Sequence, residues 1–229
     1  MTDGHESGAG AKHPASETAV YCLMMILRSS AASPFVRKVR IASNLLGLDD
    51  RIEVRGVDLN DPADSLRAQN PLGKIPALVL EDGTVYYDSR VILDYLYHVA
   101  GGGRIVPRDA DARFAALRLQ ALCDGVLDAC LLIVYEARYR PADKQEQSWI
   151  DRQADKVARG LSVLEAAPPA RDGTSDRLPD VGQIALACLL GYRDLRFDPS
   201  WRKTYPRLHA WHDDFAARVP AFAATRVEG

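Results

Sequence analysis

The stretch from residue 70 to residue 90 constrains the fold of this chain most strongly. Two short apolar runs, 77–80 and 85–87, flank Asp82-Gly83. This pattern predicts a tight β-hairpin, because glycine tolerates the positive φ that such turns demand. Pro76 stands at the start of the first strand, where its missing N–H costs no ladder bond. Asp88-Ser89 then precedes apolar residues at helical spacing, so an acid and a hydroxyl are expected at a helix N-terminus that favours anions.

The segment before the hairpin predicts a strand, a helix and a second strand. Residues 20–27 form a continuous apolar run of strand length, which is typical of a strand buried on both faces. After a loop at 28–32, Ser33-Pro34 has the composition of a helix start, with Ser33 as N-cap and Pro34 at the first helical position. Residues 52–57 supply the second strand, in parallel pairing with the first. A short helix is expected at 62–69, and residues 1–18 are expected to be a disordered leader.

The character of the sequence changes after residue 109. Helical periodicity without strand alternation covers 111–138, 145–166 and 205–219. Asp180 and Gln183 form a capping box ahead of a very apolar helix at 184–190, and Pro220 is expected to begin a short tail. We therefore predict an α/β domain at 19–101, of order βαβ-α-ββα with a mixed four-stranded sheet, followed by an all-α helical-bundle domain at 109–229.

Composition limits the classes of partner that the protein is expected to bind and the cellular compartment in which it is expected. The formal net charge is −2, which provides no general attraction to nucleic acid or to an anionic membrane. The longest apolar run, 19–27, is too short to span a bilayer. Four cysteines (Cys22, Cys123, Cys130, Cys188) lie in apolar segments without a C-x-x-C pair, which favours buried reduced thiols and a cytoplasmic location. No dense cluster of metal-ligating residues occurs, so no metal is expected.

Four motifs in this order resemble the cytosolic glutathione S-transferase family. They are the segments 33–40 (SPFVRKVR), 70–76 (NPLGKIP), 88–89 (DS) and 184–192 (IALACLLGY). The resemblance covers about residues 20–226 and implies a thioredoxin-like domain joined to a helical domain. It also implies glutathione as co-substrate, a small electrophile as second substrate, a role in detoxification, and a homodimer formed through the helices around 89–100 and 111–138.

The same resemblance assigns a glutathione site. It implies that Ile75-Pro76 is a cis peptide and that the main chain of Ile75 binds the cysteinyl part of glutathione. It makes Asp88 and Ser89 the clamp for the γ-glutamyl group, in which Ser89 and the helix N-terminus favour the carboxylate and Asp88 pairs with the ammonium. It further implies glutathione contacts for Lys74, at the glycyl carboxylate, and for Phe35. An exposed, unpaired lysine and a simple N-cap aspartate are the structural alternatives.

Thiol activation is expected from a serine. Glutathione's thiol resembles that of free cysteine, with a pKa of about 8.5, and keeping it mostly ionised near pH 7 requires roughly 2.7 kcal/mol of thiolate stabilisation. A hydroxyl hydrogen bond together with a helix N-terminus supplies stabilisation of this kind. Ser33 is the predicted catalytic residue, with Ser29 and Ser30 as alternates. Serine rather than cysteine at this position favours addition or substitution over mixed-disulfide exchange.

The electrophile is expected between the two domains, next to the first loop and the long helix. Phe114, Tyr135 and Tyr139 are the candidate lining residues, together with Trp149. Asp124 and Asp128 lie four apart on one helix face, where a functional role, a solvated edge and a helix contact are all open. Alternative functions on this scaffold are a glutathione-dependent isomerase, dehalogenase or peroxidase, or a non-catalytic regulatory protein.

Overall fold

A computed structural model describes residues 24–170 and 178–227 of the chain. The predicted leader at 1–18 and the residue Cys22 lie outside the described residues, as do residues 171–177. The model contains a four-stranded mixed sheet followed by a set of packed helices. Both parts of the predicted architecture are therefore confirmed.

The chain begins with the predicted βαβ unit. Strand β1 (Met25–Ser29) leads into helix α1 (Pro34–Leu46), and β2 (Ile52–Gly56) returns parallel to β1. The first strand ends two residues later than predicted, because Arg28 pairs with both Arg55 and Ala77 across the sheet. The buried Arg28 guanidinium donates to Asp64 at 2.8 Å and to Ser65 at 2.7 Å, so a charged residue that favoured a loop assignment is paired inside the strand.

The predicted hairpin completes the sheet. A one-turn helix α2 (Leu66–Gln69) precedes β3 (Ala77–Val79), and β4 (Val85–Tyr86) pairs antiparallel with β3. Gly83 has a φ of 83° in the connecting turn, and the Thr84 amide donates to the Asp82 carboxylate at 2.8 Å. The strand order is β2-β1-β3-β4, with β1 antiparallel to β3. Helix α3 (Ser89–Val99) follows the hairpin directly.

In the described part of the chain, six α-helices follow α3. They are α4 (Ala110–Tyr139), α5 (Gln147–Ala166), α6 (Val181–Arg196), α7 (Trp201–Thr204), α8 (Pro206–Arg218) and α9 (Pro220–Ala224). The expectation that Pro220 begins a tail is wrong, because proline is well suited to the first helical position and Phe222 packs into the core. Within residues 24–170 and 178–227, no helix is both long and apolar enough to cross a bilayer.

Helix α6 joins the two parts of the molecule. Every residue from Val181 to Leu190 is buried, and the helix packs against both α1 and α4. The predicted capping box is present: the Asp180 carboxylate accepts from the Gln183 amide at 2.9 Å, and the Gln183 side chain accepts from the Asp180 amide at 3.0 Å. Cys123, Cys130 and Cys188 are free and buried, as expected from their apolar surroundings.

Candidate functional site

Three segments of the chain meet at one end of the sheet. Arg28 of β1 pairs with Ala77 at the start of β3, and Leu78 pairs with Tyr86 near the end of β4. The residues before β3 therefore lie between the loop that follows β1 and the segment that follows β4. The topology thus brings together Ser33, the Ile75-Pro76 bend and the Asp88-Ser89 pair, which are far apart in sequence.

Ser33 occupies the N-cap position of α1. Its φ and ψ are −76° and 120°, and its hydroxyl oxygen accepts from the Val36 amide at 3.3 Å. Its own amide donates to the Ser30 carbonyl at 3.0 Å, which closes the turn after β1. Because a hydroxyl is donor and acceptor at once, the Ser33 proton remains available to a ligand in the electropositive region at the helix N-terminus.

The two alternate serines have different surroundings. Ser29 is the last residue of β1, only 5% exposed, and its carbonyl accepts from the Val57 amide at 2.9 Å. Ser30 is half-buried, and its carbonyl belongs to the turn that ends at Ser33. Of these three serines, Ser33 is the one located at the start of a helix.

The bend before β3 is held by a buried asparagine. The Ile75-Pro76 peptide is cis, as expected. Asn70, which is 1% exposed, donates from Nδ2 to the Lys74 carbonyl at 2.8 Å and accepts from the Leu72 amide at 3.0 Å. Asn70 therefore fixes the chain immediately before Ile75. Asn70 was predicted only as the first residue of the 70–76 motif, and its place directly after the expected short helix is the one signal for this role.

The start of α3 carries the predicted acid and hydroxyl. The Asp88 carboxylate is exposed and accepts from the Arg90 amide at 2.9 Å as the N-cap of the helix. Ser89 is 3% exposed at the first helical position. The Tyr87-Asp88 peptide is also cis, which was not predicted. Lys74 has an exposed side chain on the chain segment before the bend.

A buried ion cluster lies behind this helix start. Asp124 of α4 is 1% exposed and binds Lys38 of α1 at 2.5 Å and Arg90 of α3 at 2.9 Å. Lys38 is fully buried, with its ammonium 5.3 Å from the centre of the Phe35 ring. Of the alternatives open for Asp124, the structure shows a helix contact. The buried role of Lys38 was not predicted, since lysine side chains are normally exposed, and the partner of Arg90 lies 34 positions away in sequence.

Asp128 lies one turn further along α4, on the exposed side of the cluster. Partial burial raises the pKa of the Asp128 carboxyl, and the negative charge of Asp124 raises it further. Arg90, Lys74 and Lys38 oppose this increase. Lys74 and Asp128 are therefore close enough to influence one another across the gap between the sheet and α4.

A cavity of about 640 Å³ begins beside Ser33 and extends between α1, α6, α8 and α9. Tyr192 of α6 belongs to its wall, and the phenol of Tyr135 adds to burial in raising the pKa of Tyr192. The candidate acceptor residues Phe114, Tyr135, Tyr139 and Trp149 are 68%, 38%, 57% and 40% exposed. Among the described residues, the wall of this cavity includes none of these four.

Comparison with known families gives the same assignment for both parts of the chain. Residues 27–104 match the model of the glutathione S-transferase N-terminal domain, and residues 147–214 match that of the glutathione S-transferase C-terminal domain. The first range contains the three segments that meet at the end of the sheet. The second contains α6, which forms one wall of the cavity.

Individual relatives agree with this result. The uncharacterized GST-like protein YibF of Escherichia coli K12 is 38% identical over 189 residues, which is 80% of this chain and 90% of YibF. A glutathione transferase family member from Pseudomonas fluorescens Pf-5, solved with bound glutathione, is 42% identical with a TM-score of 0.82 and covers 90% of this chain and 100% of its own. A structure of a Pf-5 family member with S-(propanoic acid)-glutathione is 41% identical, has a TM-score of 0.78, and covers 89% of this chain and 100% of its own. The chain therefore belongs to the cytosolic glutathione S-transferase family.

Proposed function

We propose that this chain binds glutathione where β1, β3 and α3 meet and joins its sulfur to a small electrophile. The observation that carries the proposal is the convergence of Ser33, Ile75-Pro76 and Asp88-Ser89 at one end of the sheet. The Pf-5 relative at 42% identity, which contains bound glutathione, supports the choice of ligand. No single side chain suffices, since recognition requires all three segments.

Each part of glutathione has a matching group. We assign the main chain of Ile75 to the cysteinyl peptide, and Asp88 to the γ-glutamyl ammonium as an ion pair. The γ-glutamyl carboxylate would lie at Ser89, where the amides at the start of α3 favour an anion. We assign Lys74 to the glycyl carboxylate, because its side chain is exposed near this bend. Phe35, next to Lys38, would cover the apolar side of the ligand.

Ser33 is the proposed activating residue. Its hydroxyl would donate a hydrogen bond to the glutathione sulfur, while the N-terminus of α1 stabilises the negative charge. The two effects together favour the thiolate, which is the reactive form. The ionised sulfur attacks the electrophilic carbon of the second substrate. Neither Ser33 nor another residue is required to form a covalent bond with glutathione.

The second substrate is proposed to enter through the cavity that begins at Ser33. The Pf-5 relative with S-(propanoic acid)-glutathione holds a substituent on the sulfur of its ligand, so an equivalent space in this chain would serve the acceptor. Tyr135 and Tyr139 stay as candidate acceptor contacts, because the Tyr135 phenol helps to raise the pKa of Tyr192 on the cavity wall and its ring lies 5.4 Å from that of Tyr139. Phe114, the third candidate, is 68% exposed and is assigned instead to the dimer surface. Matched turnover assays would separate conjugation from the isomerase, dehalogenase and peroxidase alternatives.

We further propose a cytoplasmic homodimer. Val91 of α3 and Phe114 of α4 are apolar residues that are 46% and 68% exposed on neighbouring helices, a feature typical of an interaction surface. Light scattering should give twice the mass of the 25.2 kDa chain, and Phe114→Asp should give a monomer. Three buried free thiols fit a reducing compartment.

Glutathione binding is the decisive test of this proposal. Isothermal titration should show one site per chain, and glutathione at about 100 times its dissociation constant should stabilise the fold by about 2.7 kcal/mol. Asp88→Asn should weaken binding about tenfold, because it removes the partner of the ligand's ammonium. Asp94→Asn is the matched control, since Asp94 is exposed on the same helix. Absence of binding at millimolar glutathione would overturn the proposal.

A further inference from the structure

The cavity beside Ser33 carries more positive than negative charge. Its wall includes Arg37, Arg202 and Arg226, opposed by Asp194 and Asp213. Arg202 is neutralised locally, because it binds Asp194 at 2.6 Å and Asp213 at 3.2 Å. Both carboxylates on the wall are thereby engaged with one arginine. The excess positive charge comes from Arg37 and Arg226.

Arg37 lies one helical turn after Ser33, and both residues contribute to the cavity wall. Its guanidinium donates to the Phe222 carbonyl at 2.7 Å and to the Thr225 hydroxyl at 3.3 Å, and it stacks 3.9 Å above the Phe222 ring. These partners are all uncharged. Within residues 24–170 and 178–227, Arg37 forms no ion pair. A Cβ on Gly191 would come within 2.6 Å of Nη1, so the glycine is what allows this cation to lie against α6.

Arg226 adds a second cation at the same end of the cavity. It is exposed just after α9 and forms no ion pair with any carboxylate in the described part of the chain. Burial lowers the pKa of Arg37, and the charges of Arg226 and Arg40 lower it further, whereas Cys188 and Asp194 act in the opposite direction. The like charges are therefore close enough to interact. An anion placed between Arg37 and Arg226 would relieve this repulsion.

A buried histidine lies on the same wall without a hydrogen-bond partner. His212 is 5% exposed, and neither of its ring nitrogens has a hydrogen-bond partner among the described residues, although Nδ1 lies 3.9 Å from the Asp213 carboxylate. Its ring lies edge-on to Trp201 and Phe222. Burial lowers the pKa of His212 to about 4, so the imidazole is neutral near pH 7 and has one N–H to donate. A buried polar group left unsatisfied calls for a partner, and a ligand oxygen in the cavity would be one.

We propose that the acceptor substrate of this protein is a small carboxylic acid with an electrophilic carbon, and that Arg37 and Arg226 bind its carboxylate. This inference rests on the proposed placement of the glutathione sulfur at Ser33. A carboxylate carried a few bonds beyond the sulfur would extend from Ser33 towards Arg37, which lies one helical turn, about 5.4 Å of rise, further along α1. With a β-halogenated acid, a C–S bond forms as the carbon–halogen bond breaks, and the halide leaves with the bonding electron pair.

Two glutathione conjugates of equal size test the assignment. S-(2-carboxyethyl)glutathione carries the carboxylate, whereas S-(2-carbamoylethyl)glutathione replaces it with a neutral amide. Titration calorimetry on the full chain at pH 7 should show the acid binding about tenfold more tightly than the amide, since charge-assisted bidentate hydrogen bonds are the stronger kind. The preference should decline as salt is added.

Two arginine variants locate the effect. Arg226→Gln alters an exposed side chain and should reduce the preference for the acid at least threefold, with unchanged affinity for glutathione itself. Arg37→Gln should remove most of the preference, and its fold is checked by the same glutathione titration. Arg152→Gln on α5 is the matched control, because that residue is exposed and lies outside the cavity wall; it should retain the full preference.

The two proposals fail in different ways. If the wild-type chain binds glutathione but binds acid and amide equally, the carboxylate assignment is overturned and the proposed function stands. A preference that persists undiminished in both arginine variants also overturns the assignment. If glutathione itself does not bind at millimolar concentration, the proposed function fails and this inference fails with it.

Discussion

The ammonium of Lys38 lies 2.5 Å from the carboxylate of Asp124, and both side chains are almost completely removed from solvent. The pair joins α1, which begins at Ser33, to the long helix α4. Asp124 also binds Arg90 at 2.9 Å, one residue after Ser89. One buried carboxylate therefore connects the proposed thiol-activating helix, the proposed glutathione clamp and the helical part of the molecule.

The two members of this pair should differ in their contribution to stability. Asp124→Asn leaves Lys38 as a buried cation without a carboxylate, so we expect a loss of about 3–5 kcal/mol in unfolding free energy. Lys38→Met leaves Asp124 paired with the half-exposed Arg90 and should cost only about 1–2 kcal/mol. Urea denaturation measures both values. Equal losses of unfolding free energy in the two variants would show that Arg90 alone does not stabilise the buried Asp124 carboxylate, which would contradict this prediction.

The capping box of α6 should support folding rather than ligand binding. Gln183→Ala removes the acceptor of the Asp180 amide and the donor to the Ala170 carbonyl, and should cost about 1–3 kcal/mol. Affinity for glutathione in the folded fraction should be unchanged. Gln147→Ala, at an exposed helix start, is the control for stability. A selective loss of glutathione affinity at wild-type stability would contradict this prediction.

Asn70 should act as a positioning residue for the bend before β3. Asn70→Ala frees the Lys74 carbonyl and the Leu72 amide, so the main chain at Ile75 is less well fixed. We expect glutathione affinity to fall by about fivefold to tenfold, with a loss of about 1–3 kcal/mol in stability. The exposed Asn60→Ala provides the control. If calorimetry showed wild-type glutathione affinity in Asn70→Ala, Asn70 would not be a positioning residue.

His212 should make stability depend on pH in the mildly acidic range. Burial lowers its pKa from about 6.5 to about 4, although Asp194 and Asp213 act in the opposite direction. Between these values the unfolded chain binds a proton that the folded chain does not. Unfolding free energy should therefore be full above pH 6.5 and fall as pH drops towards 4, by on the order of 3 kcal/mol.

Denaturation midpoints measured across that pH range test this dependence. His212→Phe keeps an aromatic ring between Trp201 and Phe222 and should flatten the slope. His98→Gln, at an exposed position on α3, should keep the wild-type slope. A slope in His212→Phe equal to that of the wild type would assign the pH dependence to other groups.

Much of this fold could be predicted because its signals are local. The Asp82-Gly83 turn, the Ser33-Pro34 helix start and the Asp180–Gln183 capping box each specify backbone geometry within a few residues. Long-range contacts could not be predicted in this way. Arg28 was expected in a loop because it is charged, yet it lies in β1 and donates to three residues between positions 64 and 69. Pro220 was likewise expected to begin a tail, whereas it begins α9, a short helix whose Phe222 packs into the core.

The residues of the site also differ in whether local sequence could predict them. Ser33, Ile75 and Asp88 belong to short motifs and could be assigned by resemblance. Lys38 and Asp124 are 86 positions apart, and only the packing of α1 against the helical part brings them together. The cations of the cavity come from α1 and from the end of the chain, so no local pattern indicates that Arg37 and Arg226 are neighbours.

The role of Ser33 in activating glutathione is tested by the pKa of the thiol of bound glutathione. This pKa is measured from thiolate absorbance in a pH titration of the saturated complex, for the wild type, Ser33→Ala and the control Ser29→Ala. We expect a pKa of about 6.5 in the wild type and in Ser29→Ala, and a rise towards the free value of about 8.5 in Ser33→Ala with little change in affinity. A pKa in Ser33→Ala equal to that of the wild type would contradict this role.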